Sequence, residues 1–247
     1  MPYLGYLLAQ AVKAGNTIKD AISSAASFVT KVGGSVVDLS PSVEPLKSPS
    51  DGSGYFNGSS NYITAPFAIN PEAGSICYWY STNANGNNLY DMVSSGASAD
   101  DFRMILDGLH GFYLGSEYRV AFGSYANDFS WNHIMLTWDS SGTKIYHNGN
   151  FQNENTTSPS SANWNSTPTQ TFIGSRYNTL NKYPGYLCNV AFWSRALSAS
   201  EILSVMNKSY DDLNASETKG LVSWYALDDI SGTTVPDSHG NYNGTAN

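Results

Sequence analysis

The sequence is poor in charge. Charged residues make up 13% of its 247 residues, about half the share of an average soluble domain, so its polar surface consists mainly of neutral amides and hydroxyls. The formal net charge of -8 is uneven: residues 1–50 hold four lysines and three acidic residues, whereas residues 51–247 hold 8 basic and 17 acidic ones. An acidic surface repels phosphate backbones, which argues against a nucleic acid partner.

Cysteine and long apolar runs are scarce as well. Cys77 and Cys188 are the only cysteines, and the four histidines are scattered, so the ligand spacing of a zinc site is missing. No stretch approaches the roughly 18 apolar residues of a membrane span. The short apolar run in residues 1–10 has no Lys or Arg before it and makes a poor secretory signal.

Residues 1–32 carry the only long helical pattern. Apolar side chains recur there at helical spacing, in two runs that Gly15 separates. This amphipathic segment either packs on its own domain, mediates oligomerisation or docking, or inserts at a membrane surface, and we favour an assembly or anchoring role. Residues 33–53 contain three prolines among Ser and Val and are predicted to form an extended linker.

Period-two alternation is typical of the remaining chain. Within residues 131–151, alternate side chains from Ile134 to Trp138 share one face of a strand, and a turn at 139–142 leads into a second strand that ends at Asn148-Gly149, a strong hairpin signal. The same criteria predict further strands at Tyr55–Asn57, Asn61–Pro66, Ser75–Tyr80, Asn88–Ser94, Asp101–Leu106, Gly111–Leu114, Glu117–Phe122, Thr169–Ile173 and Gly185–Phe192.

A capping box predicts one short helix after these strands. Ser198 is its N-cap, Glu201 follows three residues later, and Leu197 is placed to pack on Ile202, so the helix is expected to run to about residue 207. The tail, residues 220–247, is predicted to supply a closing edge strand of the same domain. The alternative is that it begins a second domain.

Four segments of the predicted sheet region resemble a known family in order and spacing. They are Tyr55–Ile63, the hairpin of residues 131–149, Thr171–Ser175, and Gly185–Trp193 running into Arg195–Ser198. Together they resemble the laminin G-like, concanavalin A-like lectin/glucanase superfamily over roughly residues 51–207. The resemblance implies an all-β fold, an antiparallel jelly-roll β-sandwich spanning residues 54–247 and preceded by the amphipathic helical segment.

The resemblance also implies candidate positions for a disulfide bond and for calcium. In the family the strands of the two cysteines lie in the core, where Cys77 and Cys188 either form a disulfide or are two small buried residues. Members often hold one Ca²⁺ near a sandwich edge. A structural calcium here would use hard oxygen ligands of the tail, although the same residues also make a turn without metal. The candidate ligands are Asp228, Asp229, Asp237, Asn241 and Asn243.

Catalytic motifs are missing. Glucanases that share this fold place Glu-x-Asp-x-x-Glu or Glu-x-Asp-x-Glu on one strand, so that alternate carboxylates serve as nucleophile and acid. None of the six glutamates has an Asp two residues later, and neither Gly-x-Ser-x-Gly nor His-Glu-x-x-His occurs. We therefore predict that the protein is not an enzyme and has no catalytic residues.

Loop aromatics are the candidate binding residues. Trp164, Tyr177 and Tyr183 lie in turn-rich sequence, where a ring can stack on a sugar while neighbouring Asn and Ser side chains bind its hydroxyls. The alternative is that these rings only anchor their loops.

These features indicate a non-enzymatic protein that displays a lectin-like sandwich for glycan or host-surface binding. Because such a sandwich normally works outside a cell, whereas this sequence shows no export signal, we expect a virion structural protein. It would be a capsid decoration, fibre or tail component of the bacteriophage type, assembled in the host cytoplasm and homo-oligomeric through residues 1–32. The alternatives are a carbohydrate-binding or adhesion module of a cellular protein and, third, a glycoside hydrolase.

Overall fold

A computed structural model describes residues 52–82, 84, 88–96, 102–114, 117–123, 129–159, 168–177, 180–230 and 232–247. The helical segment predicted at 1–32 and nearly all of the linker predicted at 33–53 lie outside these residues. No helix in the described ranges is long and apolar enough to cross a membrane.

Strands dominate the described residues, with one short α-helix and one 3-10 turn between the twelfth and thirteenth strands. The strands are β1 Gly54–Asn57, β2 Ile63–Ala65, β3 Gly74–Ser81, β4 Tyr90–Ser95, β5 Phe102–Leu106, β6 Leu109–Leu114, β7 Glu117–Gly123, β8 Asn132–Asp139, β9 Gly142–His147, β10 Asn150–Asn155, β11 Thr171–Ile173, β12 Pro184–Trp193, β13 Leu221–Tyr225, β14 Thr234–Val235 and β15 Gly244–Ala246. The helix α1 is Ala199–Val205, and the 3-10 turn is Tyr210–Asp212.

The strands form two antiparallel sheets packed as a sandwich, which confirms the predicted all-β class. The seven-stranded sheet has the order β1-β12-β3-β8-β9-β10, with β13 also paired to β12. The eight-stranded sheet has the order β14-β15-β2-β11-β4-β5-β6-β7. Each predicted strand has a counterpart among them. Three strands were not predicted: β10, into which the turn at Asn148 and Gly149 leads with φ angles of 50° and 76°, and two of the tail strands β13, β14 and β15, since a single edge strand was expected there.

The main core lies between the two sheets. Alternate side chains of facing strands fill it, among them Ile76, Met104, Phe112 and Ile134. Trp138 packs against Phe102 and Phe112, with ring centroids 5.4 and 6.3 Å away. Gly74 lies so close to this indole that a Cβ at that position would collide with it, so the wide ring of Trp138 depends on a residue without a side chain beside it.

Helix α1 covers part of the outer face of the seven-stranded sheet. Its Ile202 and Val205 pack with Met135 and Trp224 of the sheet. The predicted capping box is confirmed: the Ser198 hydroxyl accepts from the Glu201 amide, and a Glu201 oxygen accepts from the Ser198 amide at 2.9 Å. The hydrogen bonds from Arg195 and the cap hold the pKa of Glu201 at about 2.

The two cysteines lie on neighbouring strands but are not joined by a disulfide. A bulge in β12 offsets them, so Cys77 lies opposite Ala191 while Cys188 lies opposite Trp79. Cys77 donates from its Sγ to the Asn189 carbonyl at 3.7 Å, and burial raises its pKa to about 12. Of the two alternatives, the structure therefore shows two buried thiols.

The tail contributes to both sheets. Two strands pair with the same edge of β12: β1 with its N-terminal half and β13 with its C-terminal half. β15 then extends the eight-stranded sheet beside β2 and carries β14 on its outer edge. The two ends of the described chain thus share in closing one sandwich.

Candidate functional site

A row of side chains crosses the outer face of the eight-stranded sheet. Phe172 of β11 lies opposite both Thr64 and Ser94, and Ser94 lies opposite Arg103. The residues next to them in sequence, such as Ile173 and Met104, belong to the inner core, so alternation directs the row outward. In order across the sheet, the row consists of Thr245, Thr64, Phe172, Ser94, Arg103 and Tyr113.

A buried ion pair fixes the middle of this row. Arg103 donates from Nε to Asp91 Oδ1 at 2.6 Å and from Nη2 to Oδ2 at 2.9 Å, the two-pronged geometry that suits a guanidinium and a carboxylate. The Asn181 side chain donates to Oδ2 at 3.0 Å. Asp91 is fully buried, so its negative charge is compensated within the protein.

The loop of residues 174–183 lies against the same face. Its Ser175 carbonyl accepts from the Ser94 hydroxyl at 2.9 Å, and its Asn181 carbonyl accepts from the Asp91 amide at 2.8 Å. The loop starts at Gly174, which has a φ of 78° and no room for a Cβ against the Phe56 ring. Only glycine suits that position without strain.

Three tyrosine rings on this face are each in contact with the side chain of a lysine or an arginine. The Arg103 guanidinium lies 5.8 Å from the ring centroid of Tyr113, and the Lys182 Nζ lies 5.5 Å from that of Tyr62. On the loop, the Arg176 guanidinium lies 6.0 Å from the ring of Tyr177. All three distances allow cation–π attraction. We call this surface the tyrosine–cation face, and it consists of Tyr62, Arg103, Tyr113, Arg176, Tyr177 and Lys182.

The predicted binding residues have different locations. Tyr177 lies half-buried on the tyrosine–cation face, whereas Trp164 lies outside the described residues. The position of Tyr183 corrects the expectation that its ring faces a ligand. Tyr183 is fully buried and donates from its hydroxyl to the Ser81 carbonyl at 2.9 Å, so its ring is part of the core and offers no surface for stacking.

A pocket of about 560 Å³ lies beside the segment of residues 66–70. Its walls include the aromatic rings of Phe67, Trp138 and Phe192. The protein uses the nearby polar groups itself: the Trp138 indole donates to the Asn70 carbonyl at 3.1 Å, and the Ser75 hydroxyl donates to the Arg195 carbonyl at 2.8 Å. Because a sugar requires several hydrogen-bonding partners, the tyrosine–cation face is the better candidate.

Asp237, one of the candidate calcium ligands in the tail, binds main-chain amides in this fold. Both oxygens of Asp237 accept from main-chain amides: Oδ1 from Trp224 and His239 at 2.8 and 3.0 Å, and Oδ2 from Asn241 and Tyr242 at 3.1 and 2.9 Å. The other candidates, Asp228, Asp229, Asn241 and Asn243, are exposed. Within the described residues, no group of three or more His, Cys, Asp or Glu side chains is placed to hold a metal ion.

The buried carboxylates are held by donors. Besides Asp91 and Asp237, only Glu217 is a buried acid among the described residues, and Lys208 donates to both of its oxygens at 2.7 Å. Burial alone raises the pKa of Glu217, but the hydrogen bonds from Lys208 and its neighbours outweigh burial and place the pKa below its usual range. A catalytic general acid needs the opposite shift.

Sequence reasoning missed Asp91 and Arg103, which organise this face. A signal was available: each is a charged residue inside a segment predicted as a strand, and their charges are opposite. What the sequence did not reveal is that β4 and β5 are neighbours in this register, which brings the two side chains together.

Comparison with known proteins agrees with this geometry at the level of the fold. Residues 57–203, more than half of the chain, match the family model described as the concanavalin A-like lectin/glucanases superfamily, which confirms the resemblance found in the sequence. No curated protein sequence matches the chain.

Solved structures share the sandwich at low sequence identity. A protein from Bacteroides ovatus described as a candidate carbohydrate binding protein has a TM-score of 0.62 and 18% identity, over 82% of this chain and 59% of that one. The binding domain of botulinum neurotoxin serotype D has a TM-score of 0.48 and 16% identity, over 64% and 45% of the two chains. This chain thus spans about three fifths of the first and under half of the second. A heptameric pentraxin from Limulus polyphemus has a TM-score of 0.45 and 13% identity, over 65% and 84%.

Proposed function

The chain belongs to the concanavalin A-like lectin/glucanases superfamily, and from that premise we propose that it is a non-enzymatic glycan-binding module. The observation that carries the proposal is the tyrosine–cation face, where Tyr62, Tyr113 and Tyr177 each lie beside a Lys or Arg side chain that can donate hydrogen bonds. The structural similarity to the Bacteroides protein described as carbohydrate binding supports it.

The chemistry of the face suits a sugar. A pyranose presents an apolar C–H side, which packs on a tyrosine ring, and a rim of hydroxyls, which bind planar polar side chains. The ion pair with Asp91 holds Arg103 in one position. Arg103 is therefore preorganised, and ligand binding does not have to order its side chain. Thr64 and Thr245 add hydroxyls at the other end of the row.

The carboxylate arrangement supports a role in binding without catalysis. Most enzymes that hydrolyse a glycosidic bond use two carboxyl groups that flank it, one of them a general acid with a raised pKa. Each buried carboxylate is instead held by cations or amides, and the pKa of Glu217 is lowered.

The proposed setting is a virion surface, with residues 1–32 joining copies of the chain and the sandwich displayed outward. This part rests on the apolar helical pattern of residues 1–32. Light scattering of the full chain should give an oligomer, and Leu8→Asp with Ile22→Asp should yield a monomer. If the full chain is a monomer that still binds glycans, a carbohydrate-binding or adhesion module of a cellular protein becomes the better assignment.

Binding itself is tested on a panel of immobilised polysaccharides. Tyr62→Ala and Tyr177→Ala should each weaken binding about tenfold, because each removes a stacking ring. Tyr55→Ala is the matched control, since Tyr55 is 61% exposed and lies on β1 of the other sheet. If Tyr55→Ala weakens binding as much as Tyr62→Ala and Tyr177→Ala do, the binding site is not the tyrosine–cation face. If the unmodified chain binds no polysaccharide of the panel, the glycan-binding proposal is wrong.

A further inference from the structure

One long stretch of this acidic chain contains no acidic residue. Between Glu154 and Glu201 the sequence has neither Asp nor Glu, although 20 of the 247 residues are acidic. The same stretch contains Arg176, Lys182 and Arg195. Its local charge therefore differs in sign from that of the whole chain.

The fold brings two of these cations to the tyrosine–cation face. Arg176 and Lys182 belong to the loop of residues 174–183, which lies against β4 through the Ser94 and Asp91 hydrogen bonds. Arg103 on the neighbouring strand β5 lies on the same surface, but its charge is paired with Asp91, so the excess positive charge comes from Arg176 and Lys182. The stretch without acidic residues therefore contributes positive charge to the tyrosine–cation face.

The carboxylate of this cluster does not face a ligand. Asp91 is fully buried, and both of its oxygens accept from Arg103 or Asn181. Its charge is compensated where it lies, so it contributes little repulsion toward an anion above the face. The loop itself adds no negative side chain.

We propose that the tyrosine–cation face selects glycans that carry anionic groups, carboxylate or sulfate. This inference rests on the glycan-binding function proposed above and names its ligand class. The anionic group accepts charge-assisted hydrogen bonds from Arg176 and Lys182, while the sugar ring packs on Tyr62 or Tyr177. A neutral sugar makes the same stacking contact but accepts weaker hydrogen bonds.

The test is a calorimetric titration of the full chain with two matched pairs of oligosaccharides. The first pair is oligogalacturonate and its methyl ester, and the second is a sulfated galactan oligosaccharide and its desulfated form. At least one charged member should bind about tenfold more tightly than its uncharged counterpart. The pair that shows the difference identifies carboxylate or sulfate as the group recognised, and added salt should reduce the preference.

Single substitutions test whether the tyrosine–cation face is responsible for the preference for anionic glycans. Arg176→Ala and Lys182→Ala should each weaken binding of the charged member severalfold more than binding of the uncharged member, which loses only a weaker hydrogen bond, so that the charged-over-uncharged ratio falls. Lys219→Ala is the control, because it removes the same charge from an exposed position outside this face. Thermal unfolding of each variant establishes that it is folded.

The outcomes separate this inference from the function on which it rests. Equal binding of charged and uncharged members overturns the anionic preference and leaves glycan binding intact. An equal effect of Lys219→Ala overturns it as well, since net charge rather than this face would then be responsible. If neither member of either pair binds and the polysaccharide panel is also negative, the glycan-binding function itself fails.

Discussion

Replacing Asp237 with alanine is expected to destabilise the sandwich strongly, because this carboxylate links β13 of the seven-stranded sheet to the segment that leads into β15 of the eight-stranded sheet. It is only 5% exposed and accepts from the amide of Trp224 in β13 and from three amides of residues 239–242, just before β15. Without the carboxylate, the Trp224 amide loses its partner in a buried environment.

The magnitude follows from these four bonds. A hydrogen bond to a charged group contributes about 1.5 kcal/mol at the low end of its range, so four such bonds contribute about 6 kcal/mol. Amides in the exposed turn at residues 239–241 can bind water after the change, so about 3 to 5 kcal/mol is expected. Asp237→Asn should lower the free energy of unfolding by about 2 kcal/mol. Asparagine keeps one acceptor oxygen, but its NH2 group replaces the other oxygen and faces main-chain amides that also donate.

Urea unfolding followed by tryptophan fluorescence measures this loss as a shift of the midpoint at constant slope. Asp229→Ala is the control, since it removes an exposed acid from the same tail and should change stability by less than about 0.5 kcal/mol. Repeating the series with a chelator and with added calcium tests the metal directly. A loss below about 1 kcal/mol for Asp237→Ala, or a loss that requires calcium, would refute the reasoning.

Three further predictions concern buried groups. Burial lowers the pKa of His110 and of His133 to about 3, so the unfolded chain takes up their protons near pH 6.5 while the folded chain does not. The free energy of unfolding should therefore decrease as the pH is lowered from about 6.5 to 3, by about 2 kcal/mol per histidine at pH 5. Equal urea midpoints at pH 7 and 5 would contradict this. Gly74→Ala should lower the melting temperature by several degrees, because its Cβ would collide with Trp138, whereas an unchanged melting temperature would show that the indole can move. A thiol reagent should react with Cys77 only after denaturation, since burial raises its pKa to about 12; rapid labelling of the folded protein would contradict the buried position.

Much of the fold could be predicted because its signals are local. The alternation from Ile134 to Trp138 predicts one strand, and the Asn148-Gly149 dipeptide predicts a turn that the structure contains with positive φ at both residues. The Ser198 capping box involves groups three residues apart. Such patterns depend on neighbours in sequence, so they can be read without the tertiary structure.

The candidate site could be predicted only in part, because it depends on register. Tyr177 was identified from its loop, but Tyr183, six residues later, turned out to be a core residue whose hydroxyl donates to the Ser81 carbonyl at the end of β3. Loop composition did not distinguish the two tyrosines, since both lie in similar turn-rich sequence. Their difference comes from where Gly174 and Asn181 fasten the loop.

The sequence by itself determined the class of fold, the short helix and its cap, and the polar, acidic character of the surface. Only the tertiary structure decided which side chains share a surface. Phe172 lies opposite Ser94, and Thr64 lies opposite Thr245, although each pair is far apart in the chain. These pairings arise from the order in which strands pack, which buries one face of every strand at once. A one-residue slip would turn Arg103 and Tyr113 into the core, and the core itself prevents it.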